Sequence, residues 1–114
     1  MSGQNRIDAA FAKLRESGLG GLMPFVCAGA PAIDSLIEVL PALSDAGATV
    51  IEVGIPFSDP IADGPVIAAA MHEAIARGVT PGMVFEQVRS VRDRVESGIV
   101  AMVSVSLVHG MGGP

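Results

Sequence analysis

Val50-Ile51-Glu52-Val53-Gly54-Ile55-Pro56-Phe57-Ser58-Asp59-Pro60-Ile61-Ala62-Asp63-Gly64-Pro65 is the stretch that decides the fold. Its first half is a short apolar run, rich in β-branched residues, with one acid, Glu52, in the middle. Such a run predicts a buried strand. Its second half carries Pro56, Pro60, Gly64 and the acids Asp59 and Asp63, and predicts a loop. A carboxylate inside a buried strand is costly unless something pairs with it or it takes a proton. Glu52 is therefore either a satisfied core acid, or one at a frayed strand end, or a catalytic acid at the mouth of a parallel sheet. The loop that follows favours the catalytic reading. In parallel α/β folds, active sites form where strands give way to loops at their C-terminal ends.

Outward from this stretch, strands and helices alternate. Upstream, residues 33–46 predict a helix with Leu36, Ile37, Leu40 and Leu43 as its buried stripe, Pro41 as a kink and Gly47 just past its end. Residues 22–27 predict a strand apolar on both faces, with Pro24 near its start, and residues 28–31 a turn. The chain opens with a helix in which Ile7, Phe11 and Leu14 fall at helical spacing, ended by Gly18, Gly20 and Gly21. Downstream, residues 65–77 predict a helix with Pro65 in its first turn and Gly78 as its stop. Thr80 reads as the N-cap of a further helix, with Pro81 at its first position. That helix is expected to run to about Glu96, with Val84, Val88, Val91 and Val95 on one face and Glu86, Arg89, Arg92 and Asp93 on a solvated one. Residues 99–105 predict the third strand. Such alternation implies a parallel sheet.

Composition narrows the function. The 114 residues suffice for one small domain with a real core. A net charge of −5 argues against general nucleic-acid binding, which needs clustered Lys and Arg. No run of about 18 unbroken apolar residues indicates a spanning helix. No charged start followed by an apolar stretch suggests a secretory signal, so a cytoplasmic location is expected. The single Cys27 cannot form an internal disulfide and reads as a small buried hydrophobe. His72 reads as a surface histidine and His109 lies in the glycine-rich tail; neither has a second ligand at metal spacing, so no metal site is expected.

The run from Glu52 to Pro65 resembles the signature of the tryptophan synthase alpha chain family. Met23-Pro24-Phe25-Val26 and Gly78-Val79-Thr80-Pro81 support the resemblance, which extends from about Arg6 to about Val103. It implies a TIM (β/α)8 barrel. Such a barrel takes about 250 residues, so the expectation is one domain, residues 1–114, holding the first three strands of the barrel with their helices. The chain is then either a fragment or truncated product, or a small α/β domain that pairs with more sheet from a partner.

The resemblance also implies a chemistry. The family cleaves indole-3-glycerol phosphate to indole and glyceraldehyde 3-phosphate, a retro-aldol lyase step without a cofactor, in partnership with a tryptophan synthase beta chain (as an α2β2 heterotetramer). Glu52 and Asp63 match its catalytic pair. An apolar strand around Glu52 should raise its pKa towards acid–base work, while Asp63 on a polar loop should stay ionised. Without the motif, Asp63 would read as a turn residue before Gly64. Phe25 and Met102 match substrate-pocket positions, with plain core packing the competing reading for Phe25. Ser58, Asp59 and Pro60 match the loop that faces the beta chain, where Asp59 could equally be a turn residue. The chain departs from the family at Ala30, where an acid is usual, and at Ser104 and Ser106, where Tyr and Asn are common. Met102 stands where Leu is common. The family's phosphate site lies in the second half of the barrel, beyond these strands. A non-catalytic remnant or beta-chain-binding module is the alternative. Another phosphate-handling barrel is disfavoured by the length of the signature.

Overall fold

The computed structural model describes residues 5–57 and 64–103. In chain order the elements are α1 (Arg6–Ser17), β1 (Phe25–Cys27), α2 (Ser35–Asp45), β2 (Val50–Gly54), α3 (Pro65–Ala76), α4 (Pro81–Val91) and β3 (Gly98–Met102), with a 3-10 turn at Arg92–Arg94. The strands form one parallel sheet in the order β1-β2-β3. The expected order of strands and helices is thus realised, and several boundaries move.

The first strand is shorter than residues 22–27. Pro24 has no N–H to give to a ladder, so regular pairing begins only at Phe25. The preceding backbone still follows β2: Thr49 N donates to Leu22 O at 2.8 Å and Glu52 N to Pro24 O at 2.9 Å. Nor is β1 buried on both faces; all of its residues are half-buried. The helix expected to reach Glu96 stops as an α-helix at Val91 and tightens into the 3-10 turn, which still delivers Val95 to the core. The third strand ends at Met102 rather than 105, and Ser104, Ser106 and His109 lie outside the described residues.

Local chemistry accounts for the ends. Asn5 caps α1 by accepting from Asp8 N at 2.9 Å, and Gly18 takes the left-handed conformation that stops it. Thr80 caps α4 by accepting from Met83 N at 3.2 Å, as expected, with Pro81 behind it. Helix α2 runs on through Pro41 to Asp45. Only Leu36 and Leu40 of its expected stripe are fully buried. Leu43 packs at the edge of the core, while Ile37 is largely exposed.

The core lies on one face of the sheet. Ile51, Val53 and Ile55 meet Leu36 and Leu40 of α2, Val84 and Val91 of α4, and Val95, with Val26 and Ile99 packed against them. Helices α2 and α4 lie side by side over this face, and Gln87 Nε2 fastens them by donating to Ile33 O at 2.8 Å. At the amino ends of the strands, Ser44 Oγ accepts from Glu96 N and Ser97 N, and Ser97 Oγ donates to Ala48 O at 2.6 Å. These bonds satisfy the polar groups of a turn that burial would otherwise penalise. Helix α1 lies across the amino end of β3, where Ile7 sits so close to Gly98 that a Cβ there would come within 2.7 Å of Ile7 Cγ1.

Among the described residues, β1 and β3 each leave one edge unpaired. Leu19, Leu22, Met23, Met102 and Val103 are exposed apolar residues before β1 and at the end of β3. Unpaired edges beside apolar surface are templates for association. Residues 1–114 alone are therefore expected to sediment as concentration-dependent species larger than 11.6 kDa. A compact monomer with one sharp melting transition would contradict this.

Candidate functional site

Side chains alternate across a strand. Since Ile51, Val53 and Ile55 point to the helices, Val50, Glu52 and Gly54 must point to the other face. Parallel register extends this face sideways. Phe25, Glu52 and Val100 form one row across the sheet, and Cys27, Gly54 and Met102 form the next row towards the carboxyl ends. Val50 and Gly98 form the row at the amino end, which Ile7 closes. The second face is thus closed at its amino end by Ile7 of α1, while at its carboxyl end Met71 of α3 comes beside Gly54.

The structure brings Glu52, Phe25 and Met102 to this one face. Glu52 is half-buried rather than enclosed. The full burial expected from its apolar neighbours is therefore not realised, because those neighbours face the opposite side. Its backbone is fixed by the 2.9 Å bond to Pro24 O. Its carboxylate has no hydrogen-bond or ion-pair partner among the described residues. Phe25 is half-buried and Met102 is 45% exposed. Asp63, Ser58, Asp59 and Pro60 lie outside the described residues. His72 is exposed on α3, as a surface histidine should be. Cys27 is half-buried, not the buried hydrophobe expected, because it stands on the second face of an edge strand.

Two residues that the sequence did not single out hold the frame. Arg6 Nη1 donates to Arg92 O at 2.9 Å and to Val95 O, tying α1 to the turn after α4. Arg77 Nη1 donates to Gly29 O at 2.8 Å, tying the end of α3 to the turn after β1. Both are long-range contacts to carbonyls, for which local sequence holds no signal. A cleft of about 700 Å³ lies at the amino ends of the strands, lined by Arg6, Lys13, Leu14, Thr49, Glu96 and Ser97. Glu52 is not among its walls. In parallel α/β folds the amino-terminal side serves stability and the carboxyl side chemistry, so the row at Glu52 is the candidate site.

A parallel sheet with α2 and α4 on one face and Glu52 on the other is a parallel α/β unit. The comparisons name its family. The family described as tryptophan synthase alpha chain matches residues 11–113. A Burkholderia ambifaria tryptophan synthase alpha chain is 46% identical over 99 residues, covering 87% of this chain and 36% of the relative. A Clostridium kluyveri alpha chain is 38% identical over 108 residues, covering 95% of this chain and 41% of the relative. The crystal structure of tryptophan synthase subunit alpha from Legionella pneumophila superposes with a TM-score of 0.90 at 35% identity, covering 96% of this chain and 42% of that one. The chain belongs to the tryptophan synthase alpha chain family, and its fold is part of that family's TIM barrel. It spans about 40% of the length of the relatives it matches.

Among the described residues, the Glu52 carboxylate makes no hydrogen bond or ion pair that its substitution would remove. A structural acid would behave oppositely. Glu52→Gln is therefore expected to leave stability unchanged or raise it by up to about 1 kcal/mol, the usual trade between function and stability. Urea denaturation of the two proteins side by side checks this, and a clear loss of stability would mark Glu52 as structural.

Proposed function

We propose that this chain supplies the first three strands of a tryptophan synthase alpha-type lyase, which cleaves indole-3-glycerol phosphate to indole and glyceraldehyde 3-phosphate. The observation that carries the reading is Glu52, without a side-chain partner among the described residues, beside Phe25 on one sheet face of a chain in this family.

The reaction breaks the bond between indole C3 and the first glycerol carbon. C3 must gain a proton, and the hydroxyl on that carbon must lose one as it becomes the aldehyde. Glu52 is the acid–base group for this exchange. Asp63 is the second group of the pair and accepts a hydrogen bond from the indole N–H as positive charge develops on the ring. Phe25 and Met102 give the indole an apolar surface. The loop at Ser58, Asp59 and Pro60 faces a beta chain that consumes the indole. Among the described residues, no helix is long and apolar enough to cross a membrane. A cytoplasmic location is part of this proposal.

The alternative reading is a non-catalytic module that binds a beta chain. Kinetics separate the two. In an assembly that carries the remaining strands, Glu52→Gln and Asp63→Asn are each expected to lower indole release by at least ~10²-fold, the lower scale for loss of an acid–base group. Near-normal turnover by Glu52→Gln would remove it from the catalytic pair.

Residues 1–114 alone are expected not to turn over this substrate. Positioning can supply roughly 7–11 kcal/mol of a barrier, and binding of the remote phosphate is what holds the reacting end in place. The family's phosphate-gripping loops belong to the second half of the barrel. The check is to follow indole from the purified chain with and without a beta chain. Turnover above the no-enzyme control that vanishes in Glu52→Gln would reverse this expectation.

A further inference from the structure

Gly54 ends β2 on the second face, in the row beyond Glu52. Its backbone is not the reason for a glycine there, because Gly54 is not among the residues with positive φ. The reason is space. A Cβ at this position would lie 2.5 Å from Phe25 Cζ, 2.9 Å from Phe25 Cε2 and 3.6 Å from Met71 Cε. Phe25 pairs in register with Glu52, one row back. Its ring therefore leans along the sheet and lies over the Cα of Gly54, with the end of Met71 from α3 beside it.

We propose that Gly54 is a positioning residue. It lets the Phe25 ring lie across the carboxyl end of β2 and so fixes the width of an apolar slot for a flat aromatic ring beside Glu52. The identity of that ring, an indole, rests on the function proposed above; the geometry of the slot does not. Hydrogen bonds on both sides of the strand end set the choice. The Gly54 backbone is held on one side by Ala28 N, which donates to Gly54 O at 3.0 Å, and the next residue on the other by Ile55 N, which donates to Met102 O at 3.0 Å. The strand end therefore cannot retreat from a new methyl group. The Phe25 ring is the far end of a side chain with two torsions, so the ring moves instead. With core helices behind the sheet, the free direction is out over the second face, into the space beside Glu52. Gly54→Ala thus spares the core and changes the slot.

The test reads Phe25 through Met71. The protein has no Trp and no Tyr, so ring-current effects on its methionine methyls come only from its four Phe and two His. With ¹³C-labelled methionine methyls, the Met71 signal is assigned by its loss in Met71→Leu. Phe25→Leu is expected to move that signal, because it removes the ring. Gly54→Ala is expected to move it comparably, because it displaces the ring. In the Phe25→Leu background, Gly54→Ala is expected to move it little, since no ring remains to displace. Independent shifts that simply add would overturn the proposal. If Gly54→Ala alone fails to fold, recovery of the spectrum in the double variant supports the steric conflict, and a double variant that stays unfolded overturns it.

Indole then serves as the ligand probe on the full chain. Gly54→Ala is expected to weaken indole binding about 10-fold, or about 1.4 kcal/mol, and to leave the methyl signals of core-facing groups in place. Wild-type affinity in Gly54→Ala would overturn the slot assignment. If the methyl couplings appear but indole is ignored by the wild type even in an assembly that carries the remaining strands, the positioning role stands and the lyase reading is what fails.

Discussion

Strand β2 is hydrogen-bonded on both sides, and that double ladder is the constraint on which the rest depends. A strand held this way has no freedom to rotate about its own axis. Once Ile51, Val53 and Ile55 are committed to the helices, Glu52 is committed to the opposite face. A slip of one residue would bury the carboxylate under α2 and α4 and expose the isoleucines. The apolar burial that stabilises the core is therefore the same force that presents the acid.

Close approach is the second theme. Among the described residues, four glycines sit where a Cβ would come within 3.0 Å of a neighbour: Gly98 under Ile7, Gly29 against Val79 and Ala74, Gly54 under the Phe25 ring, and Gly21 against Leu14 and Thr49. The first closes the amino end of the face that carries Glu52. The second, at φ +81°, lets the turn after β1 press on the α3–α4 junction, where Arg77 fastens it. Only the third lies beside the acid. The frame is thus tight where it supports the sheet.

The order of elements was legible because each carried a local signal. A β-branched apolar run marked β2, Thr80 with Pro81 opened α4, and glycines closed α1 and α3. Of the expected site residues, Glu52, Phe25 and Met102 share one face of the sheet. What failed to be legible had no local signal. The end of α4 at Val91 depends on how the 3-10 turn delivers Val95 to the core, and the short β1 on a proline whose neighbours still track the sheet. The anchoring roles of Arg6 and Arg77 join residues 86, 89 and 48 positions apart.

By itself, the sequence determined the alternation of strands and helices, the caps that start and stop them, and the single acid in the central strand. Those are properties of spacing and residue type. Tertiary structure alone decided how deeply that acid is buried. The apolar neighbours that suggested enclosure point away from it, because adjacent residues on a strand face opposite sides. It also decided what a glycine was for. Nothing in Val53-Gly54-Ile55 reveals that the missing side chain is occupied by a ring from another strand. That contact exists only when parallel pairing sets Phe25 beside Glu52.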